Sequence, residues 1–196
     1  MTARIAILIS GRGSNMVALA DAIDNGTIPN AEIGAVVSDK SSAVGLTVAH
    51  ERGLKAVAIE RAGRKREEHE REILLFLQSE RVDLVCLAGF MRVLSPYFVD
   101  AFKGRILNIH PSLLPSFPGL DAQRQALEHG VKVSGCTVHF VDNTLDGGPI
   151  IAQRTVPVLP GDTVESLSAR ILEQEHILYP EAVASVISNL SPGSDG

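Results

Sequence analysis

Residues 3–15, ARIAILISGRGSN, decide how this chain folds. Ala3–Ile9 is an almost unbroken apolar run, the pattern of a strand buried on both faces, as parallel sheets require. Ser10-Gly11-Arg12-Gly13-Ser14-Asn15 interrupts it, and an amphipathic helix is expected from Met16 to about Asn25, stopped by Gly26. The two glycines of the turn let backbone approach a ligand closely. Free amides at a helix start, with the Ser14 and Asn15 side chains beside them, favour an anion there. The dinucleotide fingerprint wants a third small residue where Met16 stands, so a mononucleotide-type phosphate is the better reading. The plainer alternative is that Ser14 or Asn15 merely caps the helix.

Working outward, the same alternation recurs and argues for a parallel sheet covered by helices. Strands are expected at Glu32–Ser38, Lys55–Ile59, Val82–Leu87 and Arg105–Ile109, with helices at Val44–Arg52 and Arg64–Glu80 between them. Ile73, Leu74 and Leu77 form the apolar stripe of that last helix, and the charge run Arg61–Glu72 reads as its solvated face. Ser95-Pro96 has the form of an N-cap followed by proline at the first helical position. His110–Gly119 carries three prolines and reads as an irregular loop, followed by a short helix at Asp121–Glu128. Ser134–Val141 and Pro149–Val158 read as an antiparallel extension around the loop Asp142–Gly148. Asp162-Thr163-Val164-Glu165 has capping-box spacing and opens a helix running to about Ser188. One domain over residues 1–190 is expected, without repeats or linkers, and a disordered tail over 191–196.

The chain has 196 residues, 45% hydrophobic and 21% charged, which is ordinary for one globular domain. No apolar run approaches the ~18–20 residues of a membrane span, and Ile5–Ile9 is shorter than a signal-peptide core. Two cysteines make no disulfide framework, so a cytoplasmic, reducing setting is expected, with Cys86 and Cys136 as inert core residues. The net charge of −5, with no basic stripe interleaved with aromatics, argues against a nucleic-acid surface but not against one small anionic ligand. The six histidines show no HxxxH spacing and no cysteine partner, so no metal is expected.

Two more stretches carry chemistry. In Asn108-Ile109-His110-Pro111, at the carboxyl end of a strand, alternation sends Asn108 and His110 to one side. An amide donor and an imidazole in one cleft can stabilise an oxyanion and move a proton. Leu145-Asp146-Gly147-Gly148 puts a carboxylate on a loop within reach of His110, where it would favour the imidazolium. Asp-Gly-Gly read alone is a tight turn. His139 alternates with Val141 and is read as a satisfied strand histidine ahead of a site wall.

ISGRGSN, LAGFMRVLSP, NIHPSLLPSFPG, GCTVHFVDNTLDGGPII and QEH, in this order, resemble the phosphoribosylglycinamide formyltransferase family of purine biosynthesis from Arg4 to about Pro180. The resemblance implies a Rossmann-like α/β domain, mostly parallel, of about seven strands with helices on both faces. It implies formyl transfer from 10-formyltetrahydrofolate, as co-substrate, to the amine of glycinamide ribonucleotide, by a monomer or homodimer. Asn108, His110 and Asp146 fall on the catalytic trio, and Gly13, Ser14 and Asn15 on the phosphate loop. Glu175 falls on an acid contacting the ribose, and Arg66 on an arginine facing the folate tail. Met91, Arg92, Val93 and Leu94 fall on the strip bordering the pterin pocket, and Val141–Asp146 on the loop over it. Apolar affinity for folate is expected from Met91, Val93, Leu94, Phe98, Val99 and Val141, with plain core packing as the other reading of the cluster, above all for Phe98 and Val99 on a short helix. The resemblance further implies a cis peptide in the His110–Gly119 loop, at Leu114-Pro115 first.

Asp121-Ala122-Gln123 stands where many relatives have His-x-His, and Leu172 where some have a polar side chain. Formyltransferases acting on initiator tRNA share parts of this pattern but carry an extra RNA-binding domain, for which basic charge is lacking here. Formyltetrahydrofolate hydrolases share the trio but carry an N-terminal regulatory domain, and here the first strand begins at Ala3. A non-enzymatic nucleotide-binding module has no use for Asn108, His110 and Asp146 together.

Overall fold

The computed structural model describes residues 2–189, so the expected tail at 191–196 lies outside the described residues. In chain order the elements are β1 (Ala3–Ile9), α1 (Ser14–Asp24), β2 (Ala31–Ser38), α2 (Val44–Glu51), β3 (Ala56–Ala58), α3 (Arg66–Ser79) and β4 (Leu84–Leu87). There follow α4 (Pro96–Ala101), β5 (Ile106–His110), α5 (Ala122–Glu128), β6 (Val133–Phe140), β7 (Ile150–Pro157) and α6 (Val164–Asn189). They build one seven-stranded sheet in the order β3-β2-β1-β4-β5-β6-β7. The first five strands run parallel, while β6 and β7 are antiparallel additions on one side.

Alternation along β1 builds both layers of the core. Ile5, Ile7 and Ile9 pack with Met16 and Leu19 of α1 and with Tyr179 and Val183 of α6. Ala6 and Leu8 face the other way, onto Ile73, Leu74 and Leu77 of α3 and Phe98 of α4. Helices therefore cover both faces. Cys86 and Cys136 are free, buried thiols, each pushed up to about 12 chiefly by desolvation. They are the inert core residues expected from the sequence. Phe98 and Val99 likewise belong to the core, in line with the packing reading of these two residues.

Strand order sets where a ligand can sit. The chain goes from β1 to β2 on one side and, after β3, returns to β4 on the other. The carboxyl ends of β1 and β4 therefore diverge at a topological switch point, where open α/β sheets form their crevices. The segment after β1 is SGRGSN and the segment after β4 is Ala88–Leu94. The next strand, β5, ends on His110 at the same edge.

Local chemistry departs from the sequence reading in two places. The cap of α6 is shifted by one residue: Ser166 N donates to Thr163 Oγ1, and Thr163 N donates to Ser166 Oγ. Asp162 is thereby freed to take both terminal nitrogens of Arg170, which draws its carboxyl far below the usual range. The charge run is also less solvated than its composition implies. His69 and Glu70 on α3 are buried, the former hydrogen-bonded to Ile59 O and the latter to Ser95. Polar partners from other elements satisfy them, which no helical periodicity can reveal.

Candidate active site

The turn after β1 is shaped by glycine where backbones meet. Gly13 sits at φ 76 and serves as the N-cap of α1, with no side-chain cap bond. Gly45, at the start of α2, donates its N–H to Gly11 O at 2.9 Å. A Cβ there would stand 2.6 Å from Ile9 Cδ1 and 3.0 Å from Gly11 O. The helix begins at Ser14, two residues before the expected Met16, and neither Ser14 nor Asn15 caps it. Val17 N is the first amide to bond back, to Gly13 O, so the amides ahead of it have no partner within the helix. Two of the residues that carry them, Ser14 and Asn15, line a hollow of ≈ 230 Å³ together with Ser10–Gly13, Ala88, Gly89 and Met91.

Asn15 has a different task from Ser14. Its Nδ2 donates to Glu175 Oε2 at 2.7 Å, joining α1 to α6. Glu175 is buried, and desolvation pushes its carboxyl above the usual range while the Asn15 bond pulls the other way. Two residues expected to contact the nucleotide thus meet each other at the base of the loop. Leu172 lies one turn earlier on α6 and is half-buried.

At the end of β5 the trio comes together. Leu107 and Ile109 pack into the α6-side core, turning Asn108 to the other face. His110 Nδ1 stands 3.5 Å from Asp146 Oδ2, and its Nε2 lies 2.9 Å from Phe117 O. Both ring nitrogens of this buried histidine therefore lie near oxygen atoms, the Phe117 carbonyl within hydrogen-bond distance and the Asp146 carboxylate at 3.5 Å. Asp146 is held by Gly119 N, which donates to Oδ2 at 2.8 Å. It adopts φ 49, a strained placement that Asp tolerates better than most residues. The Asp-Gly-Gly turn works as a close crossing: a Cβ on Gly148 would lie 1.9 Å from Phe140 O.

His139 is more than a satisfied strand residue. Its Nδ1 lies 2.9 Å from Phe140 O, which can only accept, so Nε2 is left as an acceptor for Asn108 Nδ2 at 3.2 Å. The same Nε2 is 3.8 Å from Asp146 Oδ1. Burial pushes this histidine below its usual range, keeping the ring neutral, as the Asn108 contact needs. One Asn108 N–H is thereby fixed and the other is free for a ligand.

Two further hollows share Arg92, Val93 and Leu94 as a common wall. The inner one, ≈ 120 Å³, is also lined by Asn108, His139, Val141 and Asp146. The outer one, ≈ 240 Å³, is lined by Arg61, Arg66, His69, Glu70 and Met91 among others. Met91 is displaced from the inner wall and stands between the outer hollow and the loop after β1. Arg61 was hidden in the charge run, where nothing in the sequence separates it from solvent-facing neighbours. A larger open hollow, ≈ 560 Å³, lies between α1 and α6, away from the trio.

The loop bearing His110 is pinned by residues the sequence did not single out. Thr137 on β6 donates its hydroxyl to Ser112 O at 2.7 Å and accepts from Leu114 N, and Gln153 on β7 donates to Leu114 O. Leu114-Pro115 is cis, as the resemblance implied. At the turn into α5, which follows Asp121, Gln125 Nε2 donates to Leu120 O at 2.9 Å, and Phe117 packs on His129. Among the described residues no group of three or more His, Cys, Asp and Glu is placed to hold a metal. No described helix is long and apolar enough to cross a membrane.

The chain matches the formyl transferase family over residues 3–183. It is 46% identical to the phosphoribosylglycinamide formyltransferase of Escherichia coli, covering 92% of this chain and 85% of that one. It is 49% identical to the trifunctional purine biosynthetic protein adenosine-3 of Drosophila melanogaster, covering 94% of this chain but only 14% of that much longer protein. Among solved structures it resembles glycinamide ribonucleotide transformylase 1 from Symbiobacterium toebii, with a TM-score of 0.94 and 51% identity over 96% of this chain and 89% of that one. The phosphoribosylglycinamide formyltransferase of Brucella melitensis has a TM-score of 0.91 and 48% identity over 99% of this chain and all of that one. With a family match that runs nearly end to end and solved structures of the same fold at about half identity, this chain belongs to the formyl transferase family.

Proposed function

We propose that this protein is a phosphoribosylglycinamide formyltransferase, moving the formyl group of 10-formyltetrahydrofolate to the amine of glycinamide ribonucleotide in purine biosynthesis. The observation that carries this reading is the meeting of Asn108, His110 and Asp146 beside the inner hollow, with the anion-ready loop Gly11–Asn15 at the same sheet edge.

The nucleotide's phosphate fits the free amides opening α1, and its ribose the Asn15–Glu175 pair. The pterin fits the inner hollow between Arg92–Leu94 and Val141, and the tail leaves past Arg66. Attack by the neutral amine on the formyl carbon puts negative charge on the formyl oxygen. Asn108's free N–H and the His110 cation are the groups of suitable chemistry for that charge. Asp146 balances His110 and orients the water that carries the amine's proton to N10, whose protonation lets the tetrahydrofolate leave. The two buried, free thiols support a cytoplasmic, reducing setting.

The test is to incubate the purified chain with both substrates, follow the folate absorbance and identify the formylated nucleotide by mass spectrometry. Formyl transfer that requires the nucleotide supports the reading. Formate release without nucleotide would assign a hydrolase instead, and absence of any turnover would reject both.

A further inference from the structure

Met91–Leu94 borders the hollows around it, yet two of its side chains do little to hold it, Met91 being 64% and Val93 63% exposed. It is held at its ends by two buried carboxylates. At one end Met91 N donates to Ser10 Oγ at 2.9 Å, and the Ser10 hydroxyl donates to Asp39 Oδ1 at 2.6 Å. Arg92 Nε donates to the other oxygen, Asp39 Oδ2, at 2.5 Å. At the far end Glu70 accepts from Ser95 N at 2.9 Å and from the Ser95 hydroxyl.

The two clamps connect different things. Glu70 ties the segment to α3 alone. Ser10 opens the turn that carries the anion-ready amides and lines its hollow. Asp39 therefore grips the nucleotide side with one oxygen and the folate side with the other, while lining none of the three hollows around the segment itself. The Asp39 side chain is 2% exposed and that of Arg92 35%, so the carboxylate is the partner that would be costly to leave alone.

We propose that Asp39 is a positioning residue that couples the two substrate subsites, so that a ligand on either one tightens binding at the other. The proposal rests on the functional reading above. A phosphate on the loop settles Ser10, and through Asp39 it settles Met91 N and the Arg92 guanidinium. The folate then meets a wall already ordered and does not bear that ordering cost itself. Linkage requires the reverse effect to be equal in size.

Calorimetry on the full chain tests this with glycinamide ribonucleotide and tetrahydrofolate, a pair that cannot turn over. Each is titrated alone and against saturating amounts of the other. For the parent each ligand should tighten the other by the same factor, about 5- to 150-fold. Asp39→Ala should bring that factor to near one. Asp39→Asn, which keeps an acceptor for Ser10 but no charge for Arg92, should recover part of it. Glu70→Gln should weaken tetrahydrofolate alone and keep the coupling factor. Melting curves confirm that each variant is folded, and Ser10→Ala carries the same test if the Asp39 variants are not. An Asp39→Ala protein with the parent's factor, a parent factor of one, or a Glu70→Gln protein that loses coupling as fully as Asp39→Ala would each overturn the proposal. A parent that binds neither ligand rejects the functional reading itself, which separates the two failures.

Discussion

Asp146→Asn isolates charge from shape at the centre of the site. An amide can still accept from Gly119 N, now 2.8 Å from Oδ2, and asparagine also tolerates the left-handed backbone at φ 49. The loop should therefore stay in place while the carboxylate 3.5 Å from His110 Nδ1 disappears. At that distance two unit charges attract by about 5 kcal/mol at an effective dielectric near 20, and by about 1 kcal/mol in bulk water. Asp146 is 13% exposed, so the support lost by positive charge on His110 in the transition state lies between these bounds. If the cation is what meets the developing oxyanion, kcat should fall by ~10- to ~10³-fold with folate affinity nearly unchanged. Stopped-flow formyl transfer gives the rate, and folate titration with a melting curve on the same sample excludes structural damage. A variant whose kcat stays within about threefold of the parent from pH 6 to 9 would refute the electrostatic role. Asn108 and His110 would then have to work without Asp146.

Three more outcomes follow from the same geometry. His110→Ala should lower kcat by ~10²-fold or more, the scale of losing one oxyanion-stabilising group, and an unchanged kcat in a folded variant would remove His110 from the chemistry. Burial holds the Glu175 carboxyl above its usual 4.5, so the folded state binds the extra proton and stability falls as pH rises above that value. Glu175→Gln, which can still accept from Asn15, should remove that fall, gaining on the parent in urea unfolding at pH 7 relative to pH 4. An equal difference at both pH values would contradict it. His139 is pushed below 6.5 by burial, so as pH drops below 6.5 the unfolded chain takes the proton first and stability is lost. His139→Gln should therefore gain on the parent at pH 5 relative to pH 8, and a pH-independent difference would show that His139 is not held neutral.

Much of the fold was legible because apolar periodicity is a local signal. Ala3–Ile9 matches β1, and Ser95-Pro96 caps α4 as expected, with the Ser95 hydroxyl accepting from Phe98 N. The antiparallel pair after the trio loop followed from two short strands with no room for a crossover between them. Boundaries slipped where backbone conformation outranked side-chain preference. Gly13 at positive φ starts α1 two residues early, turning Ser14 and Asn15 from candidate caps into first-turn residues. Within the site, Asn108 and His110 were legible through strand alternation. His139 is the satisfied strand histidine expected, but it also lines the site wall, and that second role was hidden because its partner, Asn108, is 31 positions away.

The hidden role of His139 and the concealment of Asp39 have one cause, which is strand order. In a parallel sheet every strand delivers its next residue to the same edge, so the polar residues after β1, β2, β4 and β5 must all gather there. Strand spans alone leave their neighbours open. Once the order β2-β1-β4-β5 is known, the residues at or just after the ends of these strands fall into the sequence Asp39, Ser10, the Ala88–Leu94 segment and His110. Asp39 beside Ser10, and Ser10 beside Met91, then follow from topology without further assumption, although Asp39 and Arg92 are 53 positions apart. In the sequence VVSDKSS an aspartate after a strand looks like a turn former, and only its neighbour across the sheet turns it into a buried clamp. The order itself is set by the crossover that returns from β3 to the far side of β1, and that same return opens the crevice in which the ligands are proposed to meet. The event that makes the site thus also makes its supporting network invisible to any reading that proceeds residue by residue.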